Sequence, residues 1–446
     1  MSIINFDYVN RNEKISPDKF NKNFQVLEET INSGAIAGVT TTNAYGLEWD
    51  VTNARFTRLG SAFGKTKGAD FDAFYPWSGM RRCNMTNDGH VRAYYGQANY
   101  REDGTNGQVM VEIPKFYYRS IATEYTMNNG KVVPSKVQYW ISDSPAAGYR
   151  LHPAFSRGGI ERDYIYLGAY EATLYDVSAS TYAGDFAFDS TADMLASVIG
   201  FQPVSGKHST FTRRIARQMA QRRGAGWEIQ DFFASSAVQM LLLIEIGNFD
   251  SQTEIGQGVV SLSDNPNTDN HSIVTGGTSN LGNASGEASG TVGQRSVSYR
   301  GIENFWGNIW IWIDGINIKN IDGVSHAWVA DHGFTDDTSD APYHMIDYPL
   351  CNAYGYVDTL IFSTEDGYAF LPATALGASN KPVNDYYYQN IGTSGTNWRV
   401  ALLGAYWNNG SSAGAFCWYL HNSSGNSYRA IGSRLGFYGE AIRDAA

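Results

Sequence analysis

The feature that most constrains the fold of this chain is a short apolar run near its middle, at residues 237–246 (AVQMLLLIEI). Asp231 precedes the run as a candidate helix N-cap, and Gly247 follows it as a candidate helix end. A helix that is apolar on nearly every face has no side suited to solvent, so we expect it to be the most buried element of the protein. Because the run is too short to span a bilayer, we expect no membrane insertion.

A second helix is predicted just before this run. Phe211, Ile215 and Met219 lie four residues apart and form one apolar stripe, and Gly224 is the expected end of the helix. The basic residues within 213–223 share this helical spacing, and we interpret them as a solvated face. They form the one basic cluster of a chain whose formal net charge is -11. That charge argues against nucleic-acid binding, which depends on clustered lysine and arginine.

Short apolar stretches separated by turn residues dominate the rest of the sequence. Turn chemistry is clearest at residues 87–89 (NDG) and 103–107 (DGTNG). Residues 309–313 (IWIWI) are apolar at both odd and even positions, which predicts a strand buried on both faces. The sequence has no repeat period that would indicate a solenoid or propeller. Helices together with many short strands predict an α+β fold.

The length of 446 residues exceeds one typical hydrophobic core, so we expect more than one domain. We divide the chain into an N-terminal helical segment at residues 1–42, a β-rich intermediate domain at 43–150 and a larger C-terminal domain at 151–446. In the first segment, residues 16–18 (SPD) start a helix, and its apolar seam consists of Phe20, Phe24, Leu27 and Ile31. Four seam residues are too few to stabilise an isolated helix. We expect self-association through them, with packing on the same chain as the alternative.

The sequence offers little support for a metal or cofactor. Its three cysteines (Cys83, Cys351 and Cys417) are far apart, with no pair at metal-ligand or CxxC spacing. We expect buried free thiols and assembly in a reducing cytoplasm. The N-terminus lacks the basic start and apolar core of a secretion signal, so we expect no export by that route. The acidic residues of 103–107 do not match the positions of a calcium loop, so calcium binding is unsupported and no cofactor is predicted.

The segment at residues 397–437 has the composition of a recognition surface. Large aromatic side chains alternate there with Ser, Gly and Asn, as in antibody paratopes, where rings supply contact area and small polar residues supply hydrogen bonds. The candidate ligand-binding residues are Tyr406, Asn408, Asn409, Ser411, Ser412, Phe416, Trp418, Tyr419, His421, Asn422 and Tyr428. The alternative is an aromatic-rich core segment, because Tyr, Trp and His are often partly buried for structural reasons. The long Val, Ile and Leu runs typical of a core segment do not occur in this stretch.

Further motifs resemble a known family. They are residues 222–227 (RRGAGW), residues 299–310 (YRGIENFWGNIW), and the closing pair of 398–400 (WRV) and 431–435 (IGSRL). This set resembles the formylglycine-generating-enzyme type of C-type lectin fold. More narrowly, it is similar to phage tail proteins whose C-terminal lectin domain is diversified by a diversity-generating retroelement. Residues 102–119 and 140–155 resemble segments of gut-phage tail proteins, so the resemblance covers most of the chain.

In that family, template adenines are mutagenised so that chosen surface positions vary while the scaffold stays fixed. The resemblance implies a C-type lectin-like domain at 151–446 with a variable segment at 398–437. The variable set would include Tyr406, Asn408, Ser412, Phe416, Tyr419, His421, Tyr428 and Ala430. The fixed scaffold would include Trp398, Arg399, Val400, Leu402, Gly404, Trp407, Gly410, Ala413, Gly414, Ala415, Gly432 and Leu435. Ala405 stands where the family often has a second glycine, a departure that concerns the turn at that position.

The resemblance also implies a virion protein at the phage tail tip, made in the bacterial cytoplasm. Residues 1–42 would form a homotrimer and attach it to other tail or baseplate proteins. The variable face would bind a glycan or protein of the host cell surface. The alternative is a structural tail protein that binds no ligand. Exposed aromatic rings gain nothing in such a protein and risk aggregation, and Trp and Tyr are common binding hot spots, so receptor binding is the preferred interpretation.

Catalysis is the third alternative, and we expect none. The oxidase that gives the resembled fold its name needs paired cysteines, whereas only Cys417 lies in the C-terminal motif. Ser325, His326 and Asp331 are not accompanied by a nucleophile elbow. A glycan-cleaving enzyme would need two convergent carboxylates. The candidates lie in an acidic stretch typical of solvated loops, at Asp336, Asp337, Asp340 and Asp347.

Overall fold

The computed structural model describes residues 43–128, 130–265, 271–363, 365–380, 383–391 and 398–443. The protein is mostly β-sheet, with 36% strand and 11% helix, so the α+β prediction is wrong. The two helices predicted within the described residues do form, with 9 and 15 residues, and the turn-separated apolar stretches pair into sheets. The predicted N-terminal seam lies outside the described residues; its members are Phe20, Phe24, Leu27 and Ile31.

The core helix, Phe232–Ile246, contains the apolar run. Every one of its residues is buried, which confirms the expectation drawn from its composition. The Asp231 side chain accepts a hydrogen bond from the backbone N–H of Ala234 at 2.7 Å and caps the N-terminus. Gly247 ends the helix in the left-handed region, at φ 79°. Both predicted ends of this helix are therefore confirmed.

The short helix, Arg213–Gln221, is capped by Thr212, whose hydroxyl accepts a hydrogen bond from the Ile215 N–H at 3.3 Å. It ends before Gly224, the predicted end. One further α-helical turn spans Ser251–Glu254. The 3-10 helices are Phe71–Ala73, Trp77–Gly79, Pro153–Phe155, Ser279–Leu281 and Gly410–Ser412. Within the described ranges, no helix is long and apolar enough to cross a membrane.

Most strands belong to three larger sheets. The five-stranded sheet is antiparallel and runs in the order Arg55–Gly60, Ala44–Asp50, Lys131–Ser142, Tyr117–Asn128 and Arg150–Leu151. The seven-stranded sheet runs in the order Trp227–Ile229, Leu435–Phe437, Tyr164–Gly168, Gln108–Pro114, Arg81–Met85, His90–Tyr94 and Ile442–Arg443. Because this sheet joins early and late strands, the C-terminal residues pair with segments remote in sequence.

The eight-stranded sheet carries much of the segment predicted to bind a ligand. Its order is His344–Met345, Val324–Val329, Trp310–Ile321, Trp398–Leu403, Trp418–Asn422, Tyr386–Tyr388 and Gly355–Tyr356, with Ile431–Gly432 parallel to Trp310–Ile321. The strand Trp310–Ile321 is central and is buried on both faces over most of its length. The prediction of a doubly buried strand is therefore confirmed.

The remaining strands form small sheets. These are Ser156–Arg157 with Ile160–Glu161, Thr181–Ala183 with Thr173–Asp176 and Met194–Ala196, Gly286–Glu287 with Val297–Tyr299 and Ile302–Glu303, and Thr359–Leu360 with Pro372–Thr374. The larger hydrophobic core includes Trp49, Leu241 and Trp418, so it draws residues from both sides of position 150. The division into domains at that position stays a prediction.

The core helix packs between two of the sheets. It contacts Ala44–Asp50 and Lys131–Ser142 of the five-stranded sheet and Trp310–Ile321 of the eight-stranded sheet. The indole Nε1 of Trp77 donates a hydrogen bond to the helix carbonyl of Leu241 at 3.0 Å. Cover on all sides is the environment that an all-apolar helix requires. The helix thereby fixes the inner face of the eight-stranded sheet.

The basic residues within 213–223, which the sequence analysis placed on a solvated face, differ most clearly from their prediction. The short helix packs on the eight-stranded sheet, and its Arg213 and Arg217 are buried while Arg214 is exposed. Arg217 Nε and Nη2 lie 2.5 and 2.9 Å from the two carboxylate oxygens of the buried Asp314. Arg217 Nη2 also lies 2.8 Å from an Asp336 carboxylate oxygen. A buried guanidinium is tolerated where carboxylates pair with it, so the solvated-face prediction is wrong for the arginines that face the sheet.

Candidate ligand-binding surface

The eight-stranded sheet has an inner face that packs on the core helix and an outer face that is only partly covered. Strand alternation directs Trp418 into the core and Tyr419 to the outer face. The short helix covers part of the outer face, and beside it Trp312 Nε1 donates a hydrogen bond to the Phe211 carbonyl at 3.1 Å. The strands farther along the sheet carry partly exposed side chains on this outer face.

That open part of the sheet carries six ring side chains, which we call the aromatic face. Its members are Tyr354, Tyr356, Tyr386, Tyr388, Tyr419 and His421. Centroids of neighbouring rings lie 4.6 to 6.3 Å apart, within the contact range of aromatic pairs. Tyr354 is 46% exposed, and the other five are half-buried. Pairing of remote strands thus builds one continuous surface.

A stacked pair lies at the centre of the aromatic face. Tyr388 and Tyr419 sit opposite each other on parallel strands, and their rings stack at 5.1 Å with an interplanar angle of 22°. Trp310 meets both rings edge-on, at 5.9 and 5.6 Å, and is itself only 6% exposed. The buried indole holds the two tyrosines in place. Rings held in this way lose little conformational entropy when a ligand binds.

Small polar side chains border the aromatic face. Asn409 Nδ2 donates a hydrogen bond to the Tyr388 hydroxyl at 2.9 Å. The Tyr356 hydroxyl lies 3.1 Å from Ser411 Oγ and 3.4 Å from Ser412 Oγ. Three residues predicted from the sequence to bind a ligand therefore lie next to the rings, and they orient two of the tyrosine hydroxyls.

Tyr406 and Tyr428 lie near this surface, and each contacts one partner of the same ion pair. Arg429 pairs with Asp264, and the Tyr406 hydroxyl donates a hydrogen bond to the same carboxylate at 3.4 Å. The Arg429 guanidinium lies 5.6 Å from the centroid of the Tyr428 ring. Tyr428 is 46% exposed, and Asn408 is also exposed. Both side chains are accessible to a ligand.

Three of the predicted ligand-binding residues lie in the core instead. Phe416 and Ala430 are each 1% exposed, and Trp418 is fully buried. Trp418 Nε1 donates a hydrogen bond to the Phe370 carbonyl at 3.0 Å. These side chains do not reach the surface, so they belong to the scaffold. Composition could not separate them from Tyr419, because consecutive residues of a strand point to opposite sides.

Four members of the aromatic face were missed by the sequence analysis. Tyr354, Tyr356, Tyr386 and Tyr388 precede the segment 397–437 and join Tyr419 only through sheet pairing. The available signal was the run of three tyrosines at 386–388, whose middle ring is buried while its neighbours are half-exposed. This alternation is typical of a strand with one open face.

The aromatic face offers neutral hydrogen-bonding groups near neutral pH. Burial raises the pKa of Tyr388 and of Tyr419 above the usual value, so both hydroxyls stay protonated. Burial and the charge of Arg399 lower the pKa of His421, which keeps its ring uncharged. Such a surface can exchange hydrogen bonds with a neutral ligand without first losing the hydration of a charge.

In the described parts of the chain, no group of three or more His, Cys, Asp or Glu side chains is arranged to hold a metal ion. The three cysteines are free and buried, as expected. Asp336, one carboxylate considered for glycan cleavage, pairs with Arg213 and Arg217. The absence of a cofactor and of catalysis stay predictions.

Comparison with known proteins gives a distant structural likeness. No family model matches the sequence, and no curated protein matches it. Among solved structures, the chain is similar to the Major Tropism Determinant P3c variant, with 11% sequence identity over 90% of this chain and 73% of that chain. The TM-score is 0.26, too low to establish a shared fold, and no functional argument rests on it.

Proposed function

We propose that this protein is a receptor-binding protein of a phage tail, and that the aromatic face and its polar border bind a ligand on the host cell surface. The observation that carries the proposal is the open half of the eight-stranded sheet, where Tyr388 and Tyr419 stack against the buried Trp310. A contiguous cluster of partly exposed rings with a polar border is typical of interaction sites on soluble proteins. A structural tail protein has no use for such a surface.

The chemistry of the aromatic face suits a glycan or a protein ligand. Tyrosine rings supply flat apolar area, and their hydroxyls add hydrogen bonds at the edge of each ring. Tyrosine is among the residues most often found as binding hot spots. Since Trp310 already orders the two central rings, little entropy is lost when they are covered. No cofactor and no catalytic step are part of this proposal.

We further propose that residues 1–42 form a homotrimer and attach it to tail or baseplate proteins, which would place the protein in the virion. This part derives from the resemblance carried by the sequence motifs. Several copies on one particle would raise a weak single-site affinity through effective concentration. The Major Tropism Determinant is by its name a protein that determines tropism, and the proposed role is of the same kind, although the proposal does not rest on that likeness.

The proposal can be tested with the double substitution Tyr388→Ala and Tyr419→Ala. Fluorescently labelled full-length protein is incubated with a panel of bacterial isolates, and binding is measured by flow cytometry. We expect the wild type to bind some isolates and the double variant to lose at least about 30-fold in affinity, because a single hot spot contributes about 2 kcal/mol or more. Circular dichroism and size-exclusion chromatography would establish that the variant folds and assembles.

Tyr125→Ala is the matched control, because it removes a 59% exposed tyrosine from the five-stranded sheet. It should bind as the wild type does. Undiminished binding by a correctly folded double variant would contradict the site. Failure of the wild type to bind any isolate would favour a structural tail protein.

Sequencing of the gene across a phage population tests the proposed diversification. Substitutions should concentrate at the exposed or half-exposed positions of the predicted variable set, namely Tyr406, Asn408, Ser412, Tyr419, His421 and Tyr428. The buried Phe416, Trp418 and Ala430 should stay constant or change only to residues of similar volume, because their neighbours leave no space. Substitutions spread evenly over buried and exposed positions would contradict a diversified face.

A further inference from the structure

A pocket opens beside the aromatic face and shares His421 with it. Its volume is about 700 Å³, and it is open to solvent. The lining residues are Asp337, Trp398, Arg399, His421, Asn422, Ser423, Ser424 and Asn426. They come from the start of the strand Trp398–Leu403, from the end of Trp418–Asn422 and the loop after it, and from the acidic stretch. The pocket is large enough for one or two sugar residues.

Trp398 forms a fixed ring surface in this pocket. Its ring meets that of the largely buried Trp328 edge-on at 5.4 Å. Lys319 Nζ lies 4.8 Å from the centroid of the Trp398 ring. Trp398 itself remains partly exposed. A tryptophan held in this way can pack against the C–H groups of a flat ligand without further ordering.

Arg399 differs from the buried arginines of the protein. Arg217 and Arg300 each pair with a buried carboxylate. Within the described ranges, the Arg399 side chain makes one hydrogen bond, from Nη1 to the neighbouring Trp398 carbonyl at 2.9 Å. Among the described residues no carboxylate lies within ion-pairing distance of it. Most of its N–H donors are therefore available to a ligand, and a guanidinium fits a carboxylate through two parallel hydrogen bonds.

The rest of the pocket supplies neutral donors and acceptors. The side-chain amides of Asn422 and Asn426 have no hydrogen-bond partner among the described residues. Asp337 accepts a hydrogen bond from the Ser424 hydroxyl and has further lone pairs to offer. Because burial and Arg399 lower the pKa of His421, its ring adds no positive charge. Arg399 is thus the cationic side chain among the lining residues, set among amides and an acceptor carboxylate, while Lys319 stands behind the lining against the Trp398 ring.

From this arrangement we infer that the pocket binds a carboxylate-bearing sugar residue of a host-surface glycan. The sugar carboxylate pairs with Arg399, one face of the sugar ring covers Trp398, and the sugar hydroxyls bond to Asn422, Asn426 and Asp337. The inference rests on the proposed function, since the pocket and the aromatic face form one surface. It adds the chemical class of the ligand.

The test compares glucuronic acid with glucose, which share a ring and differ at carbon 6, where one has a carboxylate and the other a hydroxymethyl group. Binding of each sugar to the full-length protein is measured by saturation-transfer NMR titration. The wild type should bind glucuronate about tenfold more tightly than glucose, because charge-assisted hydrogen bonds are about twice as strong as neutral ones. Arg399→Gln should abolish this preference, and Trp398→Ala should weaken binding of both sugars.

Arg55→Gln is the control, since it removes an exposed arginine from the five-stranded sheet and should keep the preference. Equal binding of the two sugars by the wild type, binding of neither, or an unchanged preference in Arg399→Gln would overturn the inference. If it fails while Tyr388→Ala with Tyr419→Ala still abolishes cell binding, the proposed function stands and the ligand is of another class. If no cells are bound either, both proposals fall.

Discussion

Replacing Arg217 by methionine tests whether the basic face of the short helix is buried against the sheet or exposed to solvent. Arg217 is 6% exposed and Asp314 is fully buried. Two contacts of 2.5 and 2.9 Å join the guanidinium to the two carboxylate oxygens, so each group replaces part of the hydration that the other has lost. Methionine is similar in length and carries no charge. The variant therefore leaves Asp314 with a longer contact to Arg213, at 3.8 Å.

The expected loss is large on the scale of protein stability. Removing one partner of a buried ion pair costs about 3–5 kcal/mol, and the remaining contact to Arg213 places the expected value near the lower end. Free energies of unfolding are typically about 5–15 kcal/mol, so the loss would be a substantial fraction. Adding Asp314→Asn should recover part of it, because the unpaired buried charge is then gone.

Urea unfolding followed by tryptophan fluorescence measures these free energies. Arg214→Met is the matched control, because Arg214 lies on the same helix and is exposed. The control should change the free energy of unfolding by no more than about 0.5 kcal/mol. Equal effects of the two substitutions would refute the buried network and restore the solvated face that the sequence suggested.

Three further outcomes are expected. Gly414→Ala should yield no soluble protein, because the new Cβ would lie 2.0 Å from Asp385 Oδ1. Gly425→Ala is the control and should behave as the wild type, because no atom lies within 4 Å of the added Cβ. Burial lowers the pKa of His152 from 6.5 to about 3, so its neutral form contributes stability that is complete above pH 6.5 and is lost as the pH falls toward 3. His152→Gln should flatten the acid limb of the unfolding midpoint against pH, and an unchanged limb would contradict this. Cys417 is fully buried, and burial raises its pKa. Iodoacetamide should therefore label it only after unfolding, and native labelling detected by mass spectrometry would contradict its burial.

The parts of the fold that were predictable are those with a local signal. The core helix has its cap, its apolar run and its stop within one short stretch, from Asp231 to Gly247, so the sequence alone identified it. Arg217 had no such signal, because its partner Asp314 lies 97 residues away and helical spacing does not distinguish a buried cation from a solvated one. The α+β prediction was wrong for a related reason. Helices are conspicuous in sequence, whereas many two- and three-residue strands become visible only when they pair.

The aromatic face illustrates the same limit and has a consequence for the proposed function. The segment 398–437 contributes Tyr419 and His421, while Tyr354, Tyr356 and Tyr388 come from earlier parts of the chain and meet them through sheet pairing. A diversification mechanism confined to that segment would alter the first group and leave the second unchanged. If the proposed function holds, the binding surface has a constant part and a variable part. The constant part, from the earlier strands, supplies stacking area anchored by buried residues. The variable part, from the segment 398–437, selects among ligands. Variation would act on specificity while the tyrosines of the constant part preserve a basal affinity for every variant.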